Sequence, residues 1–130
     1  MVGIVIVSHS EKVAQGIKEL SVQMIQSPIH VMDAGGMADG EIGTDANRIR
    51  DAIQEADEGE GVVVLVDLGS AIMSAEMAIE FLDEEQRKRI VIADGPIVEG
   101  AIAAAVQASI GGTLSQVKGA VEECRGVSKL

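Results

Sequence analysis

The sequence predicts an α/β fold, namely a doubly wound, mainly parallel four-stranded sheet in the order 2-1-3-4 with helices on both faces. Short runs of apolar, β-branched residues alternate with helical patterns along the chain. This alternation is typical of right-handed crossover units, which build parallel sheets that are covered on both faces. The length of 130 residues suits a single hydrophobic core, so we expect one domain over residues 1–130.

Four segments are the predicted strands. Val2–Val7 is continuously apolar rather than alternating, which indicates a strand that is buried on both faces. Val62–Val66 and Ile90–Ala93 are of the same kind, and Ile29–Met32 is a shorter and weaker candidate. In the expected order, the first and third strands lie side by side in the middle of the sheet.

Helical patterns fill the gaps between the predicted strands. Thr44 and Ser70 are placed to cap the second and third helices, and Thr113 with Gln116 forms a capping-box pattern before the last one. Gly100–Ala108 is apolar nearly all round, which indicates either a buried helix or a helix packed on a partner subunit. The first helix is predicted to face the core with an apolar stripe of Val13, Ile17, Leu20 and Met24.

Composition argues against several classes of function. The formal net charge of −11 disfavours nucleic acids and anionic membranes as partners, because both repel an acidic protein. The acidity serves either solubility or docking to a basic partner. Phe81 is the only aromatic residue, which disfavours stacking of a flavin or a base. Cys124 stands alone, so we expect no disulfide framework and no Cys-based metal site. We also expect no other metal site and no cofactor.

The N-terminal residues Met1–Val7 are apolar but lack the basic flank and small-residue cleavage site of a secretory signal. The run is also much too short to span a bilayer. We therefore expect a cytoplasmic protein.

The order of the strands predicts where a functional site lies. In doubly wound sheets, ligands bind beyond the carboxyl ends of the strands, where the winding direction changes. For the order 2-1-3-4, this change falls between the first and third strands. Ser8-His9-Ser10 and Asp67-Leu68-Gly69-Ser70 directly follow these strands. Topology alone therefore predicts that a histidine and an aspartate meet in one crevice.

His9 has the setting of a nucleophile that carries a phosphoryl group. It precedes the first helix, where free backbone N–H groups and the positive end of the helix dipole favour an anion. Asp67 is placed to accept a hydrogen bond from one ring nitrogen, which leaves the other nitrogen free to attack phosphorus. Gly69 and Ser70 begin another helix and offer hydrogen-bond donors to phosphoryl oxygens.

Each of these residues also has a plainer interpretation. His9 can be a polar turn residue, Asp67 a turn or capping residue, and Ser70 only an N-cap. His30 lies inside the short second strand and is expected to be structural. The convergence of His9, Asp67, Gly69 and Ser70 on one predicted crevice favours the functional interpretation. Turns alone can also explain the glycines that follow the second strand, namely Gly35, Gly36 and Gly40.

Four stretches of the sequence, in the same order, resemble the DhaM family. They are Gly3–Ser10, Gly40–Ala46, Asp67–Ala71 with Ser74–Glu76, and Pro96–Gly100. This family comprises the phosphoryl-donor subunits of bacterial phosphoenolpyruvate-dependent dihydroxyacetone kinases, within the mannose-type enzyme IIA superfamily of the sugar phosphotransferase system (PTS). The resemblance covers essentially the whole chain and implies a mannose-type enzyme IIA-like fold. We expect Gly36 and Thr44 to bind phosphate together with Gly69 and Ser70.

The resemblance implies a phosphoryl relay. The carrier protein HPr, charged from phosphoenolpyruvate through enzyme I, would pass its phosphoryl group to Nε2 of His9, and His9 would pass it to ADP on the DhaL subunit. The ATP formed there would phosphorylate dihydroxyacetone bound to DhaK, the overall reaction of a phosphoenolpyruvate-glycerone phosphotransferase. Family analogy also implies a homodimer. Some relatives carry HPr-like and enzyme I-like domains, which we expect to act in trans here.

Three other functions are alternatives to this one. A mannose-type enzyme IIA would use the same histidine chemistry to supply a IIB domain for sugar uptake, although the Asp67–Ala71 segment favours the kinase branch. A receiver domain needs an acidic Mg²⁺ cluster after the first strand, where this chain has Ser8-His9-Ser10. A flavodoxin-like electron carrier shares the strand order but needs aromatic stacking residues.

Overall fold

Four parallel strands form the central sheet of the computed structural model, which describes residues 1–130. The order is β2-β1-β3-β4, and every neighbouring pair is parallel, which confirms the predicted fold class. At the centre of the sheet, Val5 of β1 is in register with Met32 of β2 and with Val64 of β3. The strands are β1 (Gly3–Ser8), β2 (Val31–Gly35), β3 (Val62–Val66) and β4 (Ile90–Ile92).

The structure has six helices, and the five longer ones divide between the two faces of the sheet. The helices α1, α5 and α6 pack on one face, and α2 and α3 pack on the other. None of the helices combines the length and the apolar character needed to cross a membrane. The helices are α1 (Glu11–Val22), α2 (Ala46–Ala56), α3 (Ser70–Glu80), α4 (Glu84–Arg87), α5 (Ile97–Ser109) and α6 (Leu114–Glu123), with a final 3₁₀ turn at Cys124–Gly126.

The side chains of β1 point alternately to the two faces of the sheet and so contribute to both hydrophobic cores. Ile4 and Ile6 point towards α1, α5 and α6, whereas Val5 and Val7 point towards α2 and α3. All four side chains are fully buried, and burial of each such side chain contributes about 1.5–3 kcal/mol to stability. Because helices cover both faces of this strand, its residues are apolar on both sides instead of alternating between apolar and polar, as the unbroken apolar run predicted.

The predicted core stripe of α1 is largely wrong. Of its four members only Ile17 is buried, and the other three are about half exposed. The buried face consists instead of Ala14, Ile17 and Ser21. Small side chains at Ala14 and Ser21 let the helix approach the sheet and α5 closely, so shape rather than apolar size decides which face is buried. The exposed members of the predicted stripe are Val13, Leu20 and Met24.

The second strand lies later in the chain than predicted. It begins at Val31 and runs to Gly35, so His30 precedes the strand and is exposed. The His30 ring lies 3.6 Å from the Glu58 carboxylate. Asp33 lies within the strand because β2 is an edge strand with a partly solvated side, where a polar residue costs little.

The predicted helix caps have mixed outcomes. The capping box of Thr113 and Gln116 is confirmed, with both of its reciprocal hydrogen bonds formed. Thr44 does not cap α2, because the Asp45 side chain accepts the hydrogen bond from the first turn. Ser70 is the first residue of α3 rather than its cap, and no side chain caps that helix. The hydroxyl groups of Thr44 and Ser70 are therefore available for other contacts.

The apolar segment Gly100–Ala108 forms most of α5, which is a buried helix. Its small side chains lie against the sheet, α1 and α6, and Ala101, Ala104, Ala105 and Ala108 are fully buried. These contacts within the chain account for the buried face of the helix, whereas Ile102, Ala103 and Val106 on its other side remain partly exposed.

Gly35 allows the closest approach between α1 and the sheet, and we expect Gly35→Ala to destabilise the fold. A Cβ atom there would lie 2.5 Å from the Ser10 carbonyl oxygen and 2.8 Å from the Ala14 Cβ. Because backbone atoms cannot move aside cheaply, we expect a loss of about 1–3 kcal/mol in the free energy of unfolding. Urea denaturation followed by circular dichroism measures this loss.

Gly16→Ala is the matched control for this substitution. Gly16 lies in the middle of α1, and a Cβ atom there would have no neighbour within 4 Å. The control variant should gain about 0.5–1 kcal/mol through higher helix propensity. Equal unfolding midpoints for the two variants would contradict the close approach at Gly35.

Candidate functional site

The ends of β1 and β3 bring His9 and Asp67 together. Each residue directly follows its strand, and the two strands are parallel neighbours with Val7 in register with Val66. The backbone N–H of Asp67 also donates to the Val7 carbonyl at 3.1 Å, which continues the ladder by one more residue. The predicted meeting of the histidine and the aspartate at the switch point of the sheet is present in the structure.

The Asp67 carboxylate is the centre of the site and accepts hydrogen bonds on both oxygens. Oδ1 lies 2.9 Å from His9 Nδ1 and accepts from the backbone N–H of Leu68 at 2.8 Å. Oδ2 accepts from the Ser8 hydroxyl at 2.9 Å and from the backbone N–H of His9 at 3.0 Å. The side chain retains 17% exposure, so these donors replace most of its water.

These contacts keep Asp67 ionised. Burial is the largest single influence on its pKa and acts to raise it, because a carboxylate loses hydration in the crevice. The hydrogen bonds from the His9 backbone, the His9 ring and Ser8 together outweigh burial, and the pKa of Asp67 lies below its usual value. The site therefore holds a fixed negative charge directly beside the imidazole ring.

Both ring nitrogens of His9 have a partner. Nδ1 faces the Asp67 carboxylate, and Nε2 lies 2.9 Å from the Ser70 hydroxyl. A carboxylate only accepts hydrogen bonds, so in the neutral ring the proton belongs on Nδ1 and the lone pair on Nε2. The Ser70 hydroxyl then donates to that lone pair. With 22% of the His9 side chain exposed, the ring is oriented yet remains within reach of a reactant.

Helix termini surround the ring. The Ser10 hydroxyl caps α1 by accepting from the backbone N–H of Val13 at 3.3 Å, and His9 is the residue before this cap. Ser70 opens α3 on the other side of the crevice. The positive ends of two helix dipoles therefore lie close to His9, and they favour an anionic group at this point.

The loop after β2 forms the third side of the site through its backbone. The N–H of Gly36 donates to the Ser8 carbonyl at 3.1 Å, and the N–H of Gly43 donates to the His9 carbonyl at 2.9 Å. Gly36 has a φ angle of +72°, a conformation that glycine adopts without strain. The hydroxyls of Thr44 and Ser74 lie 2.6 Å apart and join this loop to α3.

The four predicted phosphate-binding residues thus differ in position. Ser70 contacts the His9 ring, and Gly69 precedes it in an exposed stretch at the start of α3. Gly36 and Thr44 contact Ser8 and Ser74 instead of the ring. Their binding to phosphate stays a prediction.

Two clefts flank the crevice. A cleft of about 460 Å³ lies between the ends of β3 and β4, and a cleft of about 440 Å³ lies between the start of α1 and the loop after β2. Leu68 and Ile72 line the first of them, and Ile42 lines the second. The structure has no group of three or more His, Cys, Asp or Glu side chains placed to hold a metal ion.

Sequence reasoning missed two hydroxyl groups at this site. Ser8 is fully buried at the end of β1 and binds Asp67, and Ser74 binds Thr44. Ser8 is the only polar residue of an otherwise apolar strand, and Ser74 lies one helical turn after Ser70. Both positions carried a signal, namely a polar residue in a core strand and a hydroxyl repeated at helical spacing.

The comparison with known protein families places the chain among PTS components. Residues 3–118 match the family described as the PTS system fructose IIA component, EIIA-man. The matched range includes all four strands and every residue of the site described above.

Individual proteins with similar sequences are DhaM subunits. The chain is 44% identical over 110 residues to the phosphoryl donor subunit DhaM of PEP-dependent dihydroxyacetone kinase 2 from Listeria innocua, with 85% of this chain and 88% of the relative covered. It is 36% identical to the phosphotransferase subunit DhaM of the PTS-dependent dihydroxyacetone kinase from Lactococcus lactis, with 93% and 94% covered. It is 39% identical to the DhaM subunit of Escherichia coli but spans only 25% of that longer relative.

A solved structure shares the whole fold. The chain superposes on a crystal structure described as an unknown function protein, EF1359, with a TM-score of 0.87 and 38% sequence identity. The superposition covers 99% of this chain and 98% of the other.

Ionised Asp67 should make stability depend on pH in the acid range. Because its folded-state pKa lies below the ordinary 3.8, its contribution is complete above the unfolded pKa and is lost as the pH falls through the folded value. We expect Asp67→Asn to flatten the decline in the free energy of unfolding as the pH falls below about 5. Urea denaturation across this pH range measures the slope.

Asp57→Asn serves as the positive control for the same measurement. Burial opposes ionisation of Asp57, but hydrogen bonds from Arg89, Gln86 and the backbone of Gly59 outweigh it and lower its pKa. The Asp57–Arg89 ion pair lies away from His9, and its removal should flatten the same decline in the free energy of unfolding at acid pH. Parallel curves for the wild type and Asp67→Asn, alongside a flattened Asp57→Asn curve, would refute the stabilising role of Asp67.

Proposed function

The chain belongs to the mannose-type enzyme IIA family of PTS components, and we propose that it is the phosphoryl donor subunit of a phosphoenolpyruvate-dependent dihydroxyacetone kinase. In this function His9 carries the phosphoryl group as a phosphohistidine. The observation that carries the proposal is the His9 ring held by Asp67 at Nδ1 while Nε2 faces an exposed hydroxyl. The similarity to DhaM subunits from three bacteria supports the choice of the kinase.

Charging of His9 would begin with attack of the Nε2 lone pair on the phosphorus of phosphorylated HPr. A new N–P bond forms as the bond between phosphorus and HPr breaks, and HPr leaves with the electron pair. Since Nδ1 keeps its proton, the ring gains positive charge during the attack. The Asp67 carboxylate, 2.9 Å from Nδ1, stabilises this charge without taking the proton.

Discharge reverses these steps with ADP as the acceptor. A terminal phosphate oxygen of ADP on DhaL attacks phosphorus, the N–P bond breaks, and neutral His9 is restored with its lone pair on Nε2. The ATP formed would then phosphorylate dihydroxyacetone on DhaK. The chain itself would bind neither the sugar nor free nucleotide.

The phosphoryl oxygens need hydrogen-bond donors near Nε2. Ser70 would turn its hydroxyl from the Nε2 lone pair to a phosphoryl oxygen, a change that needs only a side-chain rotation. Gly69 would offer its backbone N–H at the start of α3, with Gly36 and Thr44 on the loop side as weaker candidates. A Cβ atom at Gly69 would have no neighbour within 4 Å, which leaves room above the backbone for a phosphoryl group.

Both partners would approach the same open side of the crevice. Phosphorylated HPr and ADP-loaded DhaL must each reach Nε2, so they would bind in turn rather than together. We propose a cytoplasmic homodimer, by analogy with the family.

A second function is a IIA component that passes its phosphoryl group to a IIB domain for sugar uptake. The description of the matching family as a fructose IIA component favours it. Both functions use the same charging step and differ only in the acceptor.

We expect intact-mass spectrometry to detect one added phosphoryl group after incubation with phosphoenolpyruvate, enzyme I and HPr at mildly alkaline pH. The group should be lost on acid treatment, because the N–P bond of phosphohistidine is labile in acid. His9→Gln should remain unmodified, since it lacks the nucleophilic nitrogen. His30→Gln is the matched control, because His30 is the other histidine of the chain and lies exposed near Glu58.

The same experiment separates the two functions. Addition of DhaL with ADP should remove the phosphoryl group and produce ATP, whereas transfer only to a IIB domain would establish the sugar-uptake function. Modification of His9→Gln, or no modification of the wild type by demonstrably charged HPr, would refute the phosphohistidine at His9.

Ser70→Ala should slow charging of His9 by about tenfold to a hundredfold, because one donor to the phosphoryl oxygens is lost. Rapid-quench measurement of the transfer rate from phosphorylated HPr tests this. Ser115→Ala, an exposed serine on α6, is the control and should retain the wild-type rate. A wild-type rate in Ser70→Ala would exclude Ser70 from the transfer step.

A further inference from the structure

We propose that Ser8 is a positioning residue for phosphoryl transfer, which acts on His9 through the Asp67 carboxylate. The inference rests on the proposed function and extends its machinery by one residue. Ser8 does not contact the His9 ring, so it is not itself a catalytic residue. It holds the carboxylate that holds the ring.

The Ser8 hydroxyl is a buried junction between two parts of the site. It is fully buried, donates to Asp67 Oδ2 at 2.9 Å and accepts from the backbone N–H of Ser10 at 3.1 Å. Ser10 in turn caps α1. One hydroxyl thus ties the carboxylate after β3 to the start of the helix that follows β1.

The packing of β1 does not require a hydroxyl at this position. The other five residues of the strand are Gly3 and four aliphatic residues, and an alanine would fit the same space. A buried hydroxyl costs free energy unless its hydrogen bonds are made. Here both bonds lead to the site, which indicates that the hydroxyl serves the site and not the core.

The geometry of Asp67 explains how Ser8 influences His9. Two donors hold Oδ2, namely the Ser8 hydroxyl and the backbone N–H of His9, while Oδ1 faces Nδ1. Without Ser8, the two backbone donors remain, namely the N–H of His9 on Oδ2 and the N–H of Leu68 on Oδ1, and the carboxylate gains freedom to rotate. Rotation moves Oδ1 out of line with Nδ1, so the ring loses both its preferred tautomer and its orientation.

The test compares two substitutions of Ser8 that separate the hydroxyl from its volume. Ser8→Cys keeps the shape of the side chain, with a slightly larger atom, but replaces a strong donor with a weak one, and Ser8→Thr keeps the hydroxyl. We expect the transfer rate from phosphorylated HPr to fall about tenfold in Ser8→Cys, with an unchanged KM for HPr. Ser8→Thr should recover most of the rate.

Nitrogen-15 NMR of the His9 ring gives a readout that does not depend on transfer. The wild type should show the proton on Nδ1, and Ser8→Cys should show a mixture in which the Nε2–H form is several-fold enriched. Ser21→Cys is the matched control, because Ser21 is equally buried but its hydroxyl donates to the Ile17 carbonyl within α1. This control should leave both the tautomer and the transfer rate unchanged.

A double-mutant cycle with Asp67→Asn tests the route of the effect. If Ser8 acts through the carboxylate, Ser8→Cys should reduce the rate less than twofold further in the Asp67→Asn background. A full tenfold further loss would overturn the proposal, as would an unchanged tautomer and rate in Ser8→Cys. If Ser8→Thr does not fold, the comparison of Ser8→Cys with Ser21→Cys still shows whether the Ser8 hydroxyl affects the His9 tautomer and the transfer rate.

Failure of the proposed phosphoryl relay would give a different experimental result from failure of the inference about Ser8. If charged HPr does not modify the wild type, the phosphoryl relay is wrong, yet the NMR comparison still reports whether Ser8 orients His9. A tautomer that shifts in Ser8→Cys would then support Ser8 as a positioning residue for another reaction of His9. A normal relay with no Ser8 effect would refute the inference alone.

Discussion

The site depends on the Asp67 carboxylate, which lies between the ends of the two central strands. Its oxygens accept hydrogen bonds from the Ser8 hydroxyl, the His9 backbone, the His9 ring and the Leu68 backbone. A partly buried carboxylate without such donors would protonate or draw in water. With them it remains charged, fixes the His9 ring and joins β1 to β3 beyond the last regular pair of the ladder. The Asp67 carboxylate thus contributes both to the stability of the carboxyl ends of the central strands and to the orientation of the histidine.

The rest of the fold positions main-chain groups around His9. Gly35 lets α1 approach the end of β2, so that the helix can begin at Glu11, two residues after His9. The loop after β2 then returns across the strand ends and donates from Gly43 to the His9 carbonyl. The backbone of Ser8, His9 and Ser10 is held by hydrogen bonds, whereas Nε2 has the exposed Ser70 hydroxyl as its hydrogen-bond partner. The proposed role of His9 as a phosphoryl carrier would need this combination, because the nucleophile would have to be oriented and yet accessible to two partners in succession.

Much of the fold and the essential pair of the site could be predicted from local patterns. The unbroken apolar strands, the sheet order and the meeting of His9 with Asp67 all follow from periodicity and from rules of parallel sheets. The buried face of α1 could not be predicted, because Ala14 and Ser21 owe their burial to a close fit against other elements. The contact of Thr44 with Ser74 likewise joins residues thirty positions apart, and no local pattern encodes it.

The sequence by itself determined which residues follow the central strands, and hence that a histidine, an aspartate and a serine share one crevice. Periodicity is a local property of the sequence, and the rules of parallel sheets give the strand order from it. Both can therefore be predicted without knowledge of any distance. Only the tertiary structure decided that Nδ1 faces Asp67, that Ser70 faces Nε2 and that Ser8 holds the carboxylate from within the core. These contacts join residues about sixty positions apart and require geometry within tenths of an ångström, which arises only when both hydrophobic cores have packed.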